Sequence, residues 1–170
     1  MTIQESAQKS SFDVGQYVIY PTHGIGQISG FETQQLSEFT VELIVITFHR
    51  DKMSLRIPLP KAKASGLRPL STLEDMQKVF DLLKIKPRGR KLSWSRRLQE
   101  YDQKINSGDP LAVAAVVREI FKDGVSSEMS YSERQVYQSA LERLIQELAV
   151  IQSITEAQAV DMVEQLLKNG

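Results

Sequence analysis

The sequence predicts an α+β protein in two parts, a small N-terminal β-barrel followed by an all-helical C-terminal domain. Three observations lead there. Residues 12–58 hold short runs of β-branched and aromatic side chains separated by glycine and proline turns. After Pro60 the apolar spacing becomes helical, and Ser, Thr or Asp caps recur ahead of the runs. Charge is also divided along the chain, so the formal net charge of zero does not describe a uniform surface.

The first strand is expected at residues 17–20, a short apolar run closed by Pro21. The PTHGIG stretch at 21–26 is turn chemistry, with two glycines able to take positive φ. A second strand follows at 27–34, interrupted at Gly30, where a bulge would suit a small barrel. Residues 41–48 (VELIVITF) read as a buried strand, 49–52 as a hairpin loop, and 53–57 as an alternating strand before Pro58. Four or five strands in under fifty residues suggest an SH3-like or Tudor-like barrel, an architecture that more often binds than catalyses.

One helical turn is expected at 62–66. Ser71 to Glu74 reads as a capping box, and Leu73, Met76, Val79, Phe80 and Leu83 share one face of the helix it opens. Pro87 and Gly89 end that helix and mark a basic linker at 84–93. Ser93 caps the next helix, from Trp94 to about Asn106, with Leu98, Tyr101 and Ile105 as its apolar stripe. Asp109 and Pro110 start a strongly apolar helix at 111–121, the expected centre of the bundle. Further capping boxes begin at Ser130 and Thr155, opening a long helix to about Ile151 and a terminal one to Leu167. The expected domains are therefore 12–70 and 71–170, preceded by a polar tail at 1–11.

Composition excludes several function classes. Cysteine is absent, so there is neither a disulfide framework nor thiolate chemistry, which fits a reducing compartment. No apolar run approaches the ~20 residues of a membrane span, and the tail lacks a signal-peptide core, so a cytoplasmic protein is expected. Nothing demands a dimer, and a monomer is expected. His23 and His49 are the only histidines and cannot complete a tetrahedral N/S zinc site without cysteine. Gly24, Gly26 and Gly30 lack nucleotide-loop spacing and lead into a strand, so no helix N-terminus faces a phosphate. No GxSxG, HExxH or Walker-type sequence occurs. Neither an enzyme, a metal nor a cofactor is expected.

The informative stretch is 84–97, KIKPRGRKLSWSRR, in which seven of fourteen residues are Lys or Arg and none is acidic. Residues 60–97 carry eleven basic and three acidic side chains, whereas 119–170 carry four and nine. Trp94, the single tryptophan, stands inside the basic stretch. Cations can hold a phosphate backbone while an indole wedges between or stacks on bases. The competing reading is a solvated linker ahead of a helix whose tryptophan is core, in a protein–protein adaptor. Helical spacing puts Trp94 and Arg97 on one face with Arg96 elsewhere, while Arg88, Arg90 and Lys91 could track the backbone. Such contacts position a protein without encoding base sequence, so recognition of DNA structure is expected rather than of an operator.

Four segments together resemble the CarD family of bacterial transcription regulators. They are FDVGQYVIYPTHGIG at 12–26, LRIP at 55–58, WSRR at 94–97, and NSGD followed by AVVREIF. The resemblance covers 12–170 with the motifs in family order. The N-terminal part is also similar to the polymerase-interacting module of transcription-repair coupling factors. The resemblance implies a Tudor-like domain that docks on the RNA polymerase β subunit, pairing strand edges with the β lobe. It also implies a helical domain touching promoter DNA at the upstream edge of the bubble, where Trp94 wedges into the minor groove and stabilises the open complex. Arg56 matches a basic polymerase-contacting position, with Ile57 and Pro58 beside it. Gln34 stands where the family often has a second arginine, and Gln99 where relatives can carry a lysine. Both are departures that lighten the expected contacts.

Overall fold

Antiparallel strands come first. The computed structural model describes residues 12–86, 93–123 and 130–168, so the expected tail and the linker residues 87–92 lie outside the described residues. By its internal contacts the chain divides into two compact units, Met1–Leu70 and Ser71–Gly170.

In the first unit, β1 (Tyr17–Tyr20), β2 (Gly24–Leu36), β3 (Phe39–Phe48), β4 (Met53–Pro58) and β5 (Arg68–Pro69) form one five-stranded sheet. Its order is β4-β3-β2-β1-β5, so β4 and β5 are its edges. A 3₁₀ turn at Leu59–Lys61 runs into the turn expected at 62–66, where Ser65 N–H donates to the Lys61 carbonyl at 3.0 Å. The strand alternation of two sends Ile44, Ile46 and Phe48 of β3 into a core with Val18, Ile28 and Ile57. The register shifts between Ile28 and Gly30, which confirms a bulge and gives Ser29 as the extra residue. Gly26 has a packing reason to be glycine, because a Cβ there would stand 2.7 Å from Ile46 Cγ2. β2 and β3 run further than expected and meet in a hairpin whose Leu36 and Phe39 are directly opposite and exposed. β5, two residues long, is too short to announce itself by periodicity.

The second unit is all helical: α1 (Leu73–Lys84), α2 (Trp94–Ile105), α3 (Pro110–Asp123), α4 (Tyr131–Gln152) and α5 (Glu156–Lys168). Each start has a physical cause. Ser93 accepts from Arg96 N, Asp109 Oδ1 from Leu111 N at 3.0 Å, and Ser130 Oγ from Glu133 N at 3.1 Å. At α5 the box is reciprocal, with Thr155 Oγ1 accepting from Gln158 N and Gln158 Oε1 from Thr155 N. At α1 the cap is Thr72, whose Oγ1 accepts from Asp75 N at 3.0 Å, one residue beyond the expected Ser71. The displaced Ser71 N–H donates instead to the buried carboxylate of Glu147 at 2.7 Å. Ser153, in the left-handed region at φ 56°, ends α4.

Met76, Val79 and Leu83 of α1 are buried as expected, but Leu73 is 67% exposed because the core does not reach the first residue of the helix. α3 is the apolar centre, burying Val113, Ala114, Val116, Val117 and Ile120 against α4 and its neighbours. Two polar atoms are buried without a hydrogen-bond partner among the described residues, Arg118 Nε and the Tyr137 hydroxyl.

That phenol supports a prediction. Burial, with the Glu164 carboxylate adding to it, pushes the Tyr137 pKa up to about 12. A folded pKa raised above the unfolded value contributes stability that is complete below the unfolded pKa, about 10. The contribution is lost as pH rises towards 12. Tyr137→Phe should therefore leave the urea midpoint at pH 7 equal or higher, since it removes an unbonded buried hydroxyl. Above pH 10 the wild type should lose stability faster than the variant. A parallel decline of both proteins between pH 10 and 12 would contradict this account.

Candidate functional site

The helical part of the site grows out of the first two turns of α2. Trp94, Arg97 and Tyr101 are three and four residues apart, so they lie along one helix face. Tyr101 is fully buried and forms the floor. The Trp94 ring meets it edge-on, with centroids 6.1 Å apart and planes at 61°. Arg97 lies over both rings, its guanidinium carbon 5.5 Å from the Trp94 centroid and 5.6 Å from that of Tyr101. Arg97 Nε and Nη2 both donate to the Tyr101 hydroxyl, at 3.1 and 3.0 Å. The indole nitrogen of Trp94 donates to Ser132 Oγ on α4 at 3.2 Å.

The spacing argument for α2 holds in detail. Trp94 and Arg97 are together, and Arg96 is exposed on another face. Trp94 is half-buried: it packs against the rim of the helical core and keeps part of its ring in solvent. The indole is therefore neither a free wedge nor a core residue but a surface ring held from below and from one side. Gln99 is exposed. Arg88, Arg90 and Lys91 lie outside the described residues.

The sheet carries the second cluster. Arg56 is at the middle of the edge strand β4, opposite Val45 of β3. It forms a two-pronged pair with Glu32 of β2, with Nε to Oε2 at 2.8 Å and Nη2 to Oε1 at 3.3 Å. Glu32 is opposite Leu43, so the pair reaches across β3 on the face away from the Ile44 and Ile46 core. Leu43 and Val45 point to that outer face and are each only 7% exposed. The hydrogen bond from Arg56 holds the Glu32 carboxyl below the usual carboxylate range. The pair is therefore complete above the ordinary carboxylate pKa and is lost as pH falls through the depressed one.

Gln34 is exposed on the same face two residues along β2, paired with Val41 and beyond the end of β4. Ile57 sends its side chain into the core and leaves only its main chain at the edge, while Pro58 is half-buried at the strand end. Sequence reasoning missed Glu32 and Ser132. Each partner is remote in the chain, 24 and 38 residues away, and only the register or the helix packing brings it near.

Both histidines have local partners. His23 stacks on Tyr20 at 5.7 Å, and a ring nitrogen of His49 is 3.0 Å from Gln27 Oε1. Among the described residues no group of His, Cys, Asp or Glu could hold a metal ion, and no helix is long and apolar enough to cross a membrane.

Comparison with known proteins gives two matches to family models that follow one another along the chain. Residues 12–71 match the CarD-like/TRCF RID domain, and residues 78–164 match the C-terminal domain of CarD. A protein of Bacillus subtilis (strain 168) named "Putative transcription factor YdeB" is 30% identical over 147 residues. The alignment spans 86% of this chain and 96% of that protein.

Proposed function

The chain belongs to the CarD family, and from that premise we propose that it is a transcription regulator that binds the RNA polymerase β subunit and stabilises the open promoter complex. In this reading the sheet docks on the β lobe through the β4 edge, with Arg56 as the charged contact and Gln34 beside it. The helical domain contacts DNA at the upstream edge of the bubble, with Trp94 entering the minor groove. Arg97 and Arg96, with Arg88, Arg90 and Lys91 of the linker, are assigned to phosphates. The role is regulatory rather than catalytic, as the family is one of transcription factors.

The observation that carries the reading is the held indole. An aromatic ring half in solvent, stacked with an arginine and joined directly to a basic segment, suits insertion beside a phosphate backbone. The overall charge explains why a partner is needed. A neutral protein with one basic patch binds DNA weakly alone, but tethering raises the local concentration to about 1 mM. A further ~2 kcal/mol for the open state then shifts its equilibrium about thirtyfold.

The test is the lifetime of open complexes after competitor challenge, for cognate polymerase with and without the protein. A longer lifetime with the protein, and no footprint by free protein at sub-micromolar concentration in physiological salt, is expected. An unchanged lifetime, or a strong footprint without polymerase, would refute the proposal. The half-burial of Trp94 favours one rival, an adaptor whose basic segment binds no DNA. In that case Trp94 fluorescence would not respond to promoter complexes.

A further inference from the structure

The indole of Trp94 has one hydrogen-bond donor, Nε1, and it is already used within the protein, on Ser132 Oγ at 3.2 Å. Both ends of this bond are on capped helix starts. Trp94 opens α2 directly behind its Ser93 cap, and Ser132 is the second residue of α4 behind the Ser130 cap. The bond therefore joins two rigid elements, the arrangement that fixes a side chain to within a fraction of an ångström. The Tyr101 edge, the Arg97 guanidinium and packing against the rim of the helical core hold the ring through non-directional contacts. The bond to Ser132 is directional and turns the N–H edge of the indole toward α4.

We propose that Ser132 is a positioning residue for Trp94, setting the edge the indole presents to DNA and withdrawing its only donor from the bases. The proposal rests on the DNA-contacting role of Trp94 given above. It has a chemical consequence. A ring whose N–H is engaged elsewhere meets the bases only through its faces and C–H edge. The contact is then sensitive to stacking and deformability and insensitive to acceptor pattern.

The presence of one tryptophan makes the test direct, since fluorescence excited beyond the tyrosine absorption band reports on this residue alone. Five full-length proteins are needed in addition to wild type: Ser132→Ala, Ser132→Thr, Trp94→Phe, Trp94→Ala, and Ser132→Ala with Trp94→Phe. Urea midpoints establish that each folds. In free protein, Ser132→Ala should lower the steady-state anisotropy of Trp94 and shift its emission, and Ser132→Thr should restore both. On polymerase, Ser132→Ala should shorten the open-complex lifetime about threefold to tenfold, the range of one hydrogen bond. In the Trp94→Phe background, where no N–H remains, the same change should have no effect. Wild-type anisotropy in Ser132→Ala would overturn the proposal, as would a lifetime effect that persists beside Trp94→Phe. If Trp94→Ala leaves the lifetime unchanged while the anisotropy still responds to Ser132, the positioning bond stands and the DNA reading fails.

Discussion

Replacing Trp94 with alanine is expected to shorten the open-complex lifetime about thirtyfold relative to wild type, close to the lifetime with polymerase alone, while polymerase binding is retained. The magnitude is that of one base–aromatic contact, about 2 kcal/mol, expressed only in the open state. Because polymerase docking is assigned to the sheet, affinity for polymerase should change little. The variant also empties a rim position of the helical core, beside Tyr101 and beneath Arg97, so some folding stability will be lost with it. Trp94→Phe separates the two effects. It keeps an aromatic ring over Tyr101, retains most of the stability, and should retain more lifetime than alanine. Equal lifetimes for wild type and Trp94→Ala, with both folded and bound to polymerase, would leave the ring as packing alone.

The second large effect is expected from Arg56→Glu, which should weaken binding to polymerase about a hundredfold, near 2.7 kcal/mol. Charge reversal does more than delete a contact. It places a carboxylate facing Glu32, which now shares a two-pronged pair with Arg56, and it presents the wrong sign to any acidic partner. Binding of labelled protein to core polymerase measures the change directly. The double variant with Glu32→Lys rebuilds the pair inside the sheet with its charges exchanged. It should restore the stability of the sheet without restoring the affinity. Recovery of affinity in the double variant would mean that Arg56 acts only by bracing the sheet.

How much of this was legible in the sequence depends on how local each cause is. Caps and periods are local, so all five helices and four strands can be read from residues within one or two turns of each other. The displaced cap at α1 shows the limit. Ser71 and Thr72 are both competent, and the choice follows from Glu147, 76 residues away, taking the Ser71 N–H. Leu73 was placed on the buried face by spacing alone, yet spacing cannot say where a core ends. In the site, Trp94 with Arg97 follows from helical geometry. Glu32 with Arg56 does not, because a cross-strand partner is fixed by register, and here a bulge at Ser29 resets the register before Glu32 is reached. Ser132 is less accessible still, being set by how two helices pack.

The edge position of β4 has a consequence for the protein when no partner is bound. An unpaired strand is a template for any other unpaired strand, including the same strand of a second copy. Two β4 strands meeting antiparallel near their midpoints would bring Arg56 close to its own counterpart, and Pro58 closes one end by offering no N–H. Each pairing of like with like therefore has to fit two Arg56–Glu32 pairs side by side and stops at a residue that cannot donate. The side chains of this edge thus also discourage the protein from polymerising with itself.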